Sequence, residues 1–233
     1  MVKGGGRGID ADQRLQDGAP EHWIWTRPEA PPAATLLLAH GAGAPMDSPF
    51  MESMARRLAG RGVAVVRFEF PYMAARRQDG VRRLPNPQAQ LLDSWRWTYA
   101  LVRQQVTGVL AVGGKSMGGR MASMLADEIG ADALVCLGYP FHAPGKQGKP
   151  RVEHLKSLQT PTLIVQGERD RMGTAPEVEG YTLASSIEVL WLEAADHDLK
   201  PTKASGFTHD GYLDRAAEAI ARLLGHIAKT SAD

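Results

Sequence analysis

Short, strongly apolar runs recur along the chain at residues 35–39 (TLLLA), 63–70 (VAVVRFEF), 109–112 (VLAV), 133–137 (ALVCL), 162–165 (TLIV) and 187–192 (IEVLWL). Brief runs rich in branched residues suit strands buried on both faces of a parallel sheet. Residues 22–26 add an expected antiparallel edge strand. Between the runs the spacing changes to the helical period. Ser48-Pro49 reads as a cap followed by proline at the first helical position, with Phe50, Met54 and Leu58 inward and Gly60 and Gly62 as the stop. Asn86-Pro87 repeats the device ahead of Leu91, Trp95, Tyr99 and Val102. A third helix follows Ser116, places Met121, Leu125 and Ile129 on one face and ends at Gly130. The last, over 211–228, aligns Leu213, Ala217, Ile220, Leu224 and Ile227. Strand–helix alternation of this kind predicts a doubly wound, mostly parallel α/β sheet flanked by helices. Residues 1–20 carry no periodicity and are expected to be a flexible tail, leaving 21–233 as one domain.

Composition narrows the function classes. With 233 residues, Lys+Arg 27 against Asp+Glu 26 and a net charge of +1, there is no global argument for binding nucleic acid or an anionic membrane. No apolar run reaches the roughly 18 residues of a membrane span. One cysteine, Cys136, excludes an internal disulfide and a cysteine metal cage. The expectation is a soluble cytoplasmic protein, monomer or homodimer.

The candidate chemistry centres on Gly114-Lys115-Ser116-Met117-Gly118, a G-x-S-x-G sequence between a strand and a helix. Glycines on both sides let the chain turn tightly and lift the serine hydroxyl from the sheet edge. Gly114-Lys115-Ser116 also resembles the end of a phosphate-binding loop. That pattern needs glycine at position 109, which is Val109, and 109–112 already form a strand. Serine is a weak nucleophile without a base, and the base needs an orienting acid. Strand 162–165 runs into Gln166-Gly167-Glu168-Arg169-Asp170, and strand 187–192 into Asp196-His197-Asp198. His197 is the expected base and Asp170 its acid, with Glu168 the nearest rival. The Met117 N–H and one from His40-Gly41-Ala42-Gly43 (Ala42 or Gly41) are expected to bind an oxyanion. Asp196-His197-Asp198 has no second histidine at ligand spacing, so no metal is expected; no cofactor is expected either. Tyr72, Arg76 and Arg77, in an expected loop after Phe70, and His142 and Lys200 are candidates for substrate contact, the basic ones for an anionic acyl group.

From residue 35 to the C-terminus these features resemble the α/β-hydrolase superfamily. His40-Gly-Ala-Gly43, Phe70-Pro-Tyr-Met-Ala-Ala-Arg-Arg77, Gly114-Lys-Ser-Met-Gly-Gly119, Gly138-Tyr-Pro-Phe-His142 and Asp196-His-Asp-Leu-Lys-Pro201 are similar to segments of a dienelactone-hydrolase-related group. That group contains the testis-expressed and NSL-complex-subunit hydrolase-like proteins. The resemblance implies a Ser116–Asp170–His197 triad; the expected function is hydrolysis of small esters, thioesters or lactones through an acyl-enzyme. Because some relatives serve in complexes, it also implies a non-catalytic binding or assembly subunit as the alternative. Only some twenty residues separate Tyr139 from the strand at 162, so no large lid domain is expected.

Overall fold

The computed structural model describes residues 22–230, so the expected tail over 1–20 lies outside the described residues. Seven strands form one sheet in the order β1-β3-β2-β4-β5-β6-β7. They are β1 (Ile24–Thr26), β2 (Ala34–Ala39), β3 (Val63–Phe68), β4 (Val109–Lys115), β5 (Leu134–Leu137), β6 (Thr162–Gly167) and β7 (Ile187–Leu192). Only β1 runs antiparallel, against β3; every other pairing is parallel. Helices α1 (Pro49–Ala59), α2 (Pro71–Asp79), α3 (Gln88–Arg103), α4 (Met117–Ser123), α5 (Ala175–Glu179) and α6 (His209–Thr230) connect or flank the strands.

The period of two in the strands separates two cores. Leu37, Ala39, Val66, Phe68, Leu110 and Val112 face Leu91, Trp95 and Tyr99 of α3 and Met121 of α4. Leu36, Leu38, Val63, Val65 and Ala111 face Met51, Met54 and Leu58 of α1 and Leu213, Ala217, Ile220 and Leu224 of α6. Central strands are buried throughout, whereas the edge strands β1 and β7 are only partly covered, with Glu188 of β7 in solvent.

Several boundaries differ from the apolar pattern, each for a local reason. β4 continues past Val112 through Gly113, Gly114 and Lys115, because these pair with β5 as far as Leu137. β3 stops at Phe68: the Phe70 N–H donates to His40 Nε2 instead of a ladder carbonyl. The segment expected as a loop after Phe70 is helix α2, with Pro71 in its first turn and Gly80 closing it at φ 72°. Helix α4 ends at Ser123 instead of Ile129, where the Ser123 hydroxyl donates back to the Arg120 carbonyl. Leu125 remains buried in the turns that follow. Neither Ser48 nor Asn86 caps through its side chain; Asn86 Oδ1 accepts from the Tyr72 N–H.

Leu38, fully buried between β3 and β4, sets a testable scale. Leu38→Ala is expected to cost about 2–5 kcal/mol, and Val81→Ala, at an exposed position, less than about 0.5 kcal/mol. Urea unfolding of both variants measures the difference.

Candidate active site

Ser116 sits immediately past the end of β4 with φ 51° and ψ −115°, an unfavourable backbone for a residue with a side chain. The turn closes because its neighbours are bare. A Cβ on Gly114 would lie 2.6 Å from the Gly118 carbonyl carbon and 2.7 Å from the Ala39 oxygen; one on Gly118 would lie 2.6 Å from the His40 oxygen. The end of β2 therefore packs directly on the start of α4, and the His40–Ala42 segment lies against the serine. A Cβ on Gly41 would be 3.7 Å from that of Ser116.

The expected base and acid converge there. His197 Nε2 is 2.9 Å from Ser116 Oγ, and His197 Nδ1 is 2.7 Å from Asp170 Oδ2. A carboxylate only accepts, so Nδ1 carries the proton and Nε2 is left to accept from the serine hydroxyl. Asp170 is fully buried and held from two further sides: Oδ1 accepts from the Met172 N–H at 2.8 Å and Oδ2 from Gln166 Nε2 at 2.9 Å. The rival carboxylates have other partners. Glu168 accepts from the Ala194 N–H, and Asp196 Oδ1 from the Asp198 and Lys200 N–H groups. Asp198 pairs with Lys115.

Two supporting residues had no role in the sequence reading. Gln166, also fully buried, accepts from the Tyr139 N–H and donates to Asp170 and to the Tyr139 and Gly173 carbonyls, so it joins the acid loop to the segment after β5. Lys115, considered there only as part of a phosphate loop, donates from Nζ to the His197 carbonyl at 2.7 Å and pairs with Asp198 at 3.3 Å. Burial pulls its ammonium below the ordinary lysine value while Asp198 opposes that pull. The elbow thus holds the histidine loop through the residue preceding the serine. Nothing local in the sequence signalled either contact, since both join segments far apart in the chain.

The expected oxyanion donors lie beside the serine. The Met117 N–H opens α4, where no intrahelical acceptor exists. Gly41 is buried and Ala42 exposed. Tyr72 Oη donates to the carbonyls of both, at 3.3 and 3.0 Å. Tyr72 therefore supports the loop, with its hydroxyl already engaged. His40 Nδ1 donates to the Gly41 carbonyl at 2.7 Å and Nε2 accepts from Phe70, so burial keeps the ring neutral and its pKa below the ordinary 6.5.

The other substrate candidates separate. Arg77 forks onto Glu69 and Asp47, so its charge is already matched. Arg76 has no ion-pair partner among the described residues and lies close enough to Tyr72 for its charge to be felt there. Lys200 is exposed in the turn after His197. His142 is fully buried behind the acid loop, its N–H on the Met172 carbonyl and its Nε2 without a hydrogen bond. Among the described residues no cluster of His, Cys, Asp and Glu suits a metal ion, and no helix is long and apolar enough to cross a membrane.

Residues 32–225 match a family model described as alpha/beta hydrolase domain. Solved structures of similar fold include an alpha-beta serine hydrolase homologue from Coxiella burnetii, with 19% identity, TM-score 0.64 and coverage of 86% of this chain and 89% of that one. A serine hydrolase described as without lid, from Xanthomonas campestris, has 20% identity, TM-score 0.61 and coverage of 89% and 88%. Dienelactone hydrolase from Anabaena variabilis has 19% identity, TM-score 0.63 and coverage of 88% and 90%.

Two outcomes follow from the supports. As pH falls through 6.5, the unfolded chain binds protons that buried, depressed His40 refuses, so stability declines toward acid. His40→Gln should flatten that decline in denaturation curves taken from pH 7.5 to 5; an unchanged slope would place the titration elsewhere. Lys115→Met should speed hydrogen exchange of the Leu199 and Lys200 amides, which bond within the Asp196 turn, while β4 amides keep their protection.

Proposed function

Because the chain belongs to the alpha/beta hydrolase family, we propose that it is a serine hydrolase cleaving small esters, thioesters or lactones through an acyl-enzyme on Ser116. The observation that carries this reading is the continuous chain from Ser116 Oγ through the His197 ring to buried Asp170, at 2.9 and 2.7 Å. As Oγ attacks the substrate carbonyl carbon, its proton passes to His197 Nε2, and Asp170 stabilises the imidazolium through Nδ1–H. The new oxyanion faces the Met117 N–H and one from Gly41 or Ala42. Collapse breaks the bond to the leaving group, which takes the proton from His197. Water then attacks the acyl carbon, gives its proton to His197, and Ser116 Oγ recovers it on release.

The path from β5 to β6 contains one short 3-10 turn, Glu153–Lys156, and no inserted lid domain, which favours short, accessible acyl groups. We take residues 21–233 as one domain of this type, supported by the reach of the family model and the single sheet. The likeness of the segments around Ser116 and His197 supports a relation to the dienelactone-hydrolase-related group.

Fluorophosphonate labelling with peptide mapping tests the reading. One adduct on Ser116, absent in Ser116→Ala, is expected. Asp170→Asn should lower kcat for a short ester about a thousandfold to ten-thousandfold, since the histidine loses the acceptor fixing its tautomer. A folded protein that takes no label would support the non-catalytic binding subunit instead.

A further inference from the structure

Most arginines with a partner in this molecule have a carboxylate: Arg57 meets Asp210 and Asp214, Arg77 meets Glu69 and Asp47, and Arg96 meets Glu128. Arg120 does not. It lies one helical turn beyond Ser116, its N–H on the Ser116 carbonyl at 3.0 Å, and helical side chains lean back toward the N-terminal end. Its Nη2 donates to neutral Gln88 Oε1 at 3.2 Å, while Nε is buried without any acceptor. Burial is the largest cause pulling this guanidinium below the ordinary arginine value.

Tyr139 opposes that pull and Arg151 adds to it. Arg151 is close enough to repel Arg120, and Arg120 in turn helps to hold the His154 ring below the ordinary imidazole value. His154 Nε2 is 2.9 Å from Ser123 Oγ, which itself donates to the Arg120 carbonyl, and Tyr139 Oη donates to the Arg151 carbonyl at 2.9 Å. Neither Arg120 nor Arg151 has an ion-pair partner among the described residues. A half-buried guanidinium with an orphaned donor and no carboxylate partner is expensive unless an anion completes it.

The cluster also adjoins the serine's surroundings. Gln88 follows Asn86, whose side chain holds the Tyr72 backbone, and Tyr72 supports Gly41 and Ala42. Tyr139 follows Gly138, whose α-carbon packs on His197: a Cβ there would lie 2.7 Å from the His197 oxygen. We propose that Arg120, with Arg151 and His154, forms a subsite for an anionic group, carboxylate or phosphate, carried by the substrate beyond its scissile carbonyl. Ser116 and Arg120 stand one helical turn apart along α4, about 5.4 Å of rise, which favours a short spacer between the two groups. This inference rests on the reading of Ser116 as nucleophile.

Its test has a kinetic and a binding arm. The kinetic arm compares kcat/KM for mono-4-nitrophenyl adipate and 4-nitrophenyl hexanoate. Wild type should favour the adipate, and Arg120→Gln should lower the adipate-to-hexanoate ratio about tenfold or more. Arg120→Lys, which keeps the charge without the fork, should fall between. In the binding arm, Ser116→Ala is titrated with adipate and with inorganic phosphate. Saturable binding that Arg120→Gln weakens about tenfold supports the subsite, and the tighter of the two anions names the group. Equal loss on both esters, no anion binding to well-folded protein, or a ratio that responds to Arg76→Ala and not to Arg120→Gln would overturn it. If wild type cleaves neither ester and takes no fluorophosphonate label, the hydrolase reading falls, and the titration still decides the anion site.

Discussion

Ser116 keeps its left-handed backbone because β2 and the start of α4 touch without side chains between them. Gly114 and Gly118 meet the Ala39 and His40 carbonyls at distances that no Cβ tolerates. That apposition raises the hydroxyl above the sheet, leaves the Met117 N–H in the first turn of α4 and seats Gly41 against the serine. The sheet makes it possible. β2 and β4 are adjacent central strands in matched register, Ala39 opposite Gly114, buried on both faces by the two helical layers. Hydrophobic burial far from the chemistry thus holds the strain at the elbow.

Around this elbow the polar groups form a closed set of supports. Tyr72 and His40 hold the Gly41 and Ala42 carbonyls, Gln166 and the Met172 N–H hold Asp170, and Lys115 holds the histidine loop by its backbone. Each comes from a different strand end or helix, at the carboxyl edge of the sheet where ligands of α/β folds gather. A small displacement of any loop would be felt at the His197–Ser116 contact, whose geometry matters to a fraction of an ångström.

How much of this was legible in the sequence depended on range. Apolar runs located the six parallel strands, because strands buried in a sheet leave a local record, and residues 22–26 were read separately as an antiparallel edge strand. Positions 116, 170 and 197 stood out because each closely follows a strand. Helix α2 was missed: with Tyr72, Met73 and Ala74 its only buried positions, it has little amphipathic signal, though Pro71 and Gly80 bracket it. Asp170 was preferred to Glu168 from the sequence, whereas the contact of Glu168 with the Ala194 N–H is visible only in three dimensions. Lys115, Gln166 and the Arg120 cluster were invisible for the same reason. Their contacts span 82 positions for Lys115 and 32 for Arg120, and no local pattern encodes them. The partners of Tyr72 in the Gly41 and Ala42 carbonyls, and of Arg77 in Asp47, lie some thirty residues upstream and left no local signal.

The central claim is that this constellation makes Ser116 a nucleophile that carries an acyl group. Its most direct measurement is rapid mixing with a stoichiometric excess of 4-nitrophenyl acetate, followed by acid quench and mass mapping of the peptides. The account predicts a nitrophenol burst equal to the enzyme concentration and a single acetyl group on Ser116, both lost in His197→Ala. A burst-free time course, or acetyl groups scattered over lysines and persisting in His197→Ala, would contradict it.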